Sequence, residues 1–131
     1  MCLILILATA AAGCGLGVRG PDLFLLKRTG QGTRLSLLVN DGGTISCNGG
    51  KLRPLADPLL LRARDLAVSL DGDAKRSLRI VSPRGSVFRY EIRLQDGTIA
   101  FPDTAAARHS ELAQAELLAV QVAQRACGLS G

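Results

Sequence analysis

Tryptophan is missing from this chain, and three phenylalanines and one tyrosine are all the aromatic residues in 131. Single-stranded nucleic acid is held largely by aromatic stacking, so this scarcity argues against a nucleic-acid partner. Histidine is nearly missing too. His109 is the only one, so a histidine-based triad would have to pass through it, and no serine stands in a Gly-x-Ser-x-Gly elbow. Two glycine-rich stretches, "NDGG" and "CNGG", neither fit a phosphate loop nor lead into a helix, and they read as turns. Asp71 and Asp73 in "DGDAK" lack the other oxygen ligands of a calcium loop. No catalytic residue, cofactor or metal ligand is therefore expected. An apolar run of about 20 residues, long enough to span a bilayer, is also absent.

What is present points to one domain. Hydrophobic residues make up 47% of the chain, enough for a core built from leucine, isoleucine, valine and alanine. The formal net charge is +5, and the first charged residue is Arg19. The excess of positive charge therefore lies entirely within residues 19–131. Arginine, whose planar fork suits oxyanions, outnumbers lysine by thirteen to three. A codon bias toward arginine accounts for the same ratio.

The opening run "LILILATAAAG" (Leu3 to Gly13) has the length and the small-residue ending of a signal-peptide core. A buried apolar strand is the competing reading. Ala11-Ala12-Gly13-Cys14 resembles the lipobox of bacterial lipoproteins. The resemblance implies that residues 1–13 are removed as a signal, and that Cys14 becomes the lipidated first residue. Residues 14–21 would form a short Gly-rich tether and 22–131 a single domain. The protein would then sit on the extracytoplasmic face of a cell membrane, anchored through Cys14.

That reading leaves Cys47 and Cys127. In an oxidising compartment two remaining cysteines usually pair, and the long loop between them makes such a bridge worth on the order of 4 kcal/mol. Two free buried thiols are the alternative. With His109 they fall short of a four-ligand zinc site.

The pattern along the chain predicts an α+β fold. "DLFLLKRT" reads as a first strand. "TRLSLLVN" alternates, with Leu35, Leu37 and Val39 on one face, and an Asp-Gly turn leads into "TISCN". Asp57 reads as an N-cap with Pro58 at the first helical position. Leu60, Ala63, Ala67 and Leu70 then recur at helical spacing, with Leu59 and Leu66 beside them, and mark one face of a helix that "DGDAK" ends. "RSLRIVS" reads as a short strand or an irregular approach. "SVFRYEIRL" alternates cleanly, with Phe88, Tyr90, Ile92 and Leu94 on one side and Arg89, Glu91 and Arg93 on the other. "QDG" turns it into "TIAF". A last helix spans about Ser110 to Ala126, with Ser110 as N-cap and Leu117, Val120 and Cys127 on one side. The expectation is an antiparallel sheet of about four to six strands with two helices on one face, in the order β-β-β-α-(β)-β-β-α. "NDGGTIS" and "QDGTIAF" echo each other, each preceding a helix, which leaves duplication and coincidence both open.

His109 reads as a loop residue. The candidate contact residues are basic. Lys27, Arg28 and Arg34 gather near the first turn, and Arg89 and Arg93 share the wet face of a strand. A plain solvated surface is the simplest account of them. On an exported domain, lipid headgroups or acidic wall polymers are the partners such a surface suits.

"KRTGQG", the "FRYEIRLQDGTIAFPD" hairpin and the final Leu-rich helix resemble the emfourin family, small bacterial inhibitors of thermolysin-type metallopeptidases. The resemblance implies inhibition of a secreted peptidase, with the loop Thr29 to Thr33 as the first place to look for the contact.

Overall fold

A computed structural model describes residues 21–81 and 84–129. Within them the chain forms one six-stranded antiparallel sheet and two helices, an α+β architecture. The strands are β1 (Asp22–Gly30), β2 (Thr33–Asn40), β3 (Thr44–Cys47), β4 (Leu52–Pro54), β5 (Arg89–Leu94) and β6 (Gly97–Pro102). The helices are α1 (Asp57–Lys75) and α2 (Ser110–Arg125). Across the sheet the order is β4-β3-β2-β1-β5-β6. The first four strands are a meander. Helix α1 then carries the chain back over the sheet, so that β5 pairs with β1 on its free side.

Alternation decides which way the strands face. Phe24 and Leu26 of β1, Leu35, Leu37 and Val39 of β2, and Tyr90, Ile92 and Leu94 of β5 are buried against the helices. Between them stand half-buried or exposed residues with the opposite orientation. The register pairs like with like: Leu26 stands opposite Leu37 on one side and Ile92 on the other. The rings of Tyr90 and Phe101, cross-strand partners, stack with centroids 5.2 Å apart. Both helices close this one face of the sheet with aliphatic side chains, Leu59, Leu60, Ala63, Leu66 and Leu70 from α1 and Leu112, Ala115, Leu118, Ala119 and Val122 from α2.

The details depart from the sequence expectation in several places. Helix α1 is capped at Ala56, not Asp57: the Leu59 and Leu60 amides donate to the Ala56 carbonyl. Asp57 instead lies in the first turn, near the positive end of the helix. "DGDAK" does not end α1 but forms its last turns, with Asp73 and Ala74 buried and Asp71 paired to Lys75 at 2.8 Å. Helix α2 is capped by His109, with Ser110 as its first residue. Its inner face is not the Leu117 side, since Leu117 is 56% exposed. The short strand β4 adds an element the pattern hid. Finally, Leu78 and Ile80 exchange backbone hydrogen bonds with Ala100, so this segment runs along the outer edge of β6.

The disulfide between Cys47 and Cys127 forms, spanning a sequence separation of 80. It joins the end of β3 to the residue just past the α2 cap, Ala126. Two glycines make close approaches possible. A Cβ on Gly97 (φ +157°) would run into the Ala74 carbonyl at the end of α1, and one on Gly30 (φ +149°) into Val87 and Phe88.

Candidate binding surface

The face of the sheet away from the helices carries no covering layer among the described residues. Lys27, Arg34, Arg89 and Arg93 all lie on it. Thr29 has Arg34 as its partner on β2 and Arg89 as its partner on β5, so the two guanidinium groups flank one small residue. One step along, Lys27 stands between Ser36 and Glu91; one step further, Leu25 stands between Leu38 and Arg93. Glu91 is the carboxylate within this group, and Arg93 holds it with Nε to Oε1 at 3.0 Å. At the far end of β1, Asp22 accepts a hydrogen bond from the Asn40 amide at 3.1 Å. Lys27, Thr29, Arg34 and Ser36 line a broad, open depression on this face, bounded by the turn at Gly30–Gly32 and by Asn48–Gly49.

Arg28 does not join them. It is in phase with Phe24 and Leu26, so it points toward the helices, and it is only 9% exposed. Its guanidinium carbon lies 4.6 Å from the centroid of the Phe88 ring, a cation–π arrangement. Its Nε has no hydrogen-bond partner. The expectation of a solvated arginine beside Lys27 and Arg34 is thus corrected by the phase of the strand.

A second polar group near Arg28 has no motif to announce it. Asp103, just after β6, accepts hydrogen bonds from the amides of Val87 (3.1 Å) and Phe88 (3.1 Å), and its own amide donates to the Phe88 carbonyl at 3.0 Å. These bonds tie the approach to β5 against the end of β6 and set the ring on which Arg28 rests. Glu116, on α2, is pushed up to about 7 by burial and then by the Asp103 charge. Tyr90 is raised above its usual value by burial first, then by Glu116, with Arg28 pulling it back.

His109 sits before α2, with Nδ1 3.6 Å from Glu111 Oε1. Cys14 lies outside the described residues. Among the described residues no group of three or more His, Cys, Asp or Glu side chains is placed to hold a metal ion, and no helix is long and apolar enough to cross a membrane. Comparison with family models, curated proteins and solved structures finds no match for the chain.

Proposed function

We propose that this chain is a non-catalytic binding domain, held at the extracytoplasmic face of a cell membrane through Cys14, that presents its open sheet face to an acidic envelope surface. One observation carries the reading: Lys27, Arg34, Arg89 and Arg93 gather on an uncovered face, with Glu91 as the carboxylate among them. Charges fixed on neighbouring strands cannot spread apart as charges on a loop can. Their potentials add over the face, and they are relieved by a surface of opposite sign. Lipid headgroups and acidic wall polymers both supply one.

Vesicle co-sedimentation tests this with the domain from Asp22 onward. Binding to vesicles rich in phosphatidylglycerol should weaken steeply between low and physiological salt and should fall in Arg34→Glu with Arg89→Glu. Binding that ignores both salt and charge reversal would defeat the reading. Mass spectrometry of the exported protein tests the anchor separately: an unmodified chain that keeps residues 1–13 would remove it.

A second reading, inhibition of a secreted metallopeptidase, is favoured by one local feature. The β1–β2 turn is exposed, and its tip residue Gln31 is held in the left-handed region at φ +50° between Gly30 and Gly32. A stiff, projecting turn suits insertion into a cleft. A thermolysin-type peptidase that keeps full activity at high molar excess of the domain would exclude it.

A further inference from the structure

The buried side of the same turn raises a different question. Arginine keeps its charge in proteins, and a buried charge is costly unless it is paired. Arg28 is nine-tenths buried, and the Tyr90 hydroxyl is a hydrogen-bonding neighbour of its guanidinium, yet no ion pair reaches it among the described residues and its Nε is unpartnered. Its aromatic neighbour Phe88 supplies a negative ring face but no hydrogen-bond acceptor in the plane of the guanidinium. Glu116 is not its counter-ion. The two form no ion pair, and the buried Glu116 Oε1 has no hydrogen-bond partner.

Arg28 lines a cavity of about 300 Å³, at the small end of the range for ligand sites. The chemistry of its wall divides in two. Arg28, Thr33 and the side-chain amides of Gln31 and Asn48 form a polar side; Leu35, Phe88 and Leu129 form an apolar one. Arg34 also borders the cavity, but it is in phase with the opposite face of the sheet. Asn48 already accepts the Ser36 amide hydrogen through Oδ1 at 2.8 Å, so its own NH₂ is the group left to donate. Among the described residues no acidic side chain lines the cavity. The carboxyl end of α2 lies close by, and the negative end of a helix would repel an anion. Two of the carbonyls in its last turn, those of Val122 and Ala123, accept the amides of Ala126, Cys127 and Leu129.

We propose that this cavity binds a carboxylate carried on a short apolar group, with Arg28 gripping the carboxylate, the Asn48 NH₂ donating beside it, and Leu35 and Leu129 receiving the apolar part. Guanidinium and carboxylate are matched in plane and spacing, and two parallel hydrogen bonds fix the orientation. The apolar wall distinguishes this ligand from a bare inorganic anion. The disulfide holds the two walls in place: Cys47 adjoins Asn48, and Cys127 lies two residues before Leu129.

Titration of the ¹⁵N-labelled domain, without lipid, tests the site independently of the envelope-binding reading. The probe is N-acetyl-leucine, with N-acetyl-leucinamide as its neutral counterpart and inorganic phosphate as the bare anion. The acid should produce saturable shifts at the amides of Gln31, Asn48, Phe88 and Leu129. It should bind at least about tenfold more tightly than the amide, as loss of a charge-assisted pair requires, and more tightly than phosphate. Asn48→Asp, which keeps the acceptor for the Ser36 amide but replaces the NH₂ donor with a charge, should weaken it about tenfold while the rest of the spectrum stays folded. Arg28→Lys keeps the charge but removes the fork, and it should weaken the acid as well. Equal binding of acid and amide would mean an apolar hole and overturn the proposal. Phosphate binding as tightly as the acid, or shifts gathered around Lys27 and Arg89 instead, would overturn it too.

Discussion

Cys47 at the end of β3 is bonded to Cys127 beyond α2, their Cα atoms 5.9 Å apart across a sequence separation of 80. The bond ties the last helix to the strand that precedes the short edge strand β4. It closes most of the domain into a loop, which restricts the unfolded chain far more than the folded one. Reduction should therefore lower stability by about 2–4 kcal/mol, read as a fall in the urea midpoint with reductant. Cys47→Ala with Cys127→Ala should fall equally and lose its sensitivity to reductant. An unchanged midpoint would mean that the unfolded chain gains little freedom from the cut.

Gly97 should tolerate alanine poorly. The residue has φ +157°, and the added methyl would be driven into the Ala74 carbonyl, which neither helix end nor hairpin can easily yield. Thermal unfolding should show a loss of about 2–3 kcal/mol. Gly32→Ala is the control: it has φ +70° but nothing within 4 Å, so it should cost only about 1 kcal/mol for backbone strain.

Glu116 should make the domain less stable on the alkaline side. Its carboxyl ionises near 7 in the folded chain, above the usual value of 4.5, because burial and Asp103 both disfavour the charge. A group whose folded pKa is raised gives its full stabilisation below the unfolded value and loses it as pH climbs through the folded one. The melting temperature should therefore decline between about pH 5 and 8, and Glu116→Gln should flatten the decline. A variant that keeps the same slope would assign it to other groups.

Asp103→Asn should loosen one short segment without unfolding the domain. The carboxylate accepts the amides of both Val87 and Phe88, and an asparagine offers one neutral oxygen in its place. Hydrogen exchange at these two amides should accelerate by at least about tenfold, as expected when charge-assisted bonds are weakened. The Glu116 carboxyl should titrate lower, because a charge that holds it up is gone. Exchange unchanged at both amides would place the restraint elsewhere.

The strands and helices are legible because their patterns are local. Period-two alternation in "TRLSLLVN" and "SVFRYEIRL" marks which residues face the core, and the Asp-Gly turns mark the hairpins. What escapes a local reading is set by distant partners. Asp71, Gly72 and Asp73 look like the end of a helix, but Lys75 and Arg76 pair with the two aspartates and α1 runs on. The inner face of α2 is hard to read because three of its six buried residues are alanines, so that Leu117, a larger apolar residue, stands out although it is exposed. Arg28 is readable in principle, since it shares the phase of Phe24 and Leu26. Grouping it with the basic turn follows composition and ignores phase. Glu116 and Asp103 carry no local signal, for they meet only when α2 and the end of β6 are brought together.

The borders of the sheet bear on how these molecules behave in a crowd. One border is β4, three residues long, ending in a proline that has no amide hydrogen to donate and carrying Arg53, with Lys51 just before it. The other, β6, already spends the Ala100 amide and carbonyl on the Leu78–Ile80 segment. A neighbouring copy thus finds little free backbone to zip onto at either side. Copies confined together at high local density should stay separate bodies, each with its own cationic face, rather than fuse into ribbons.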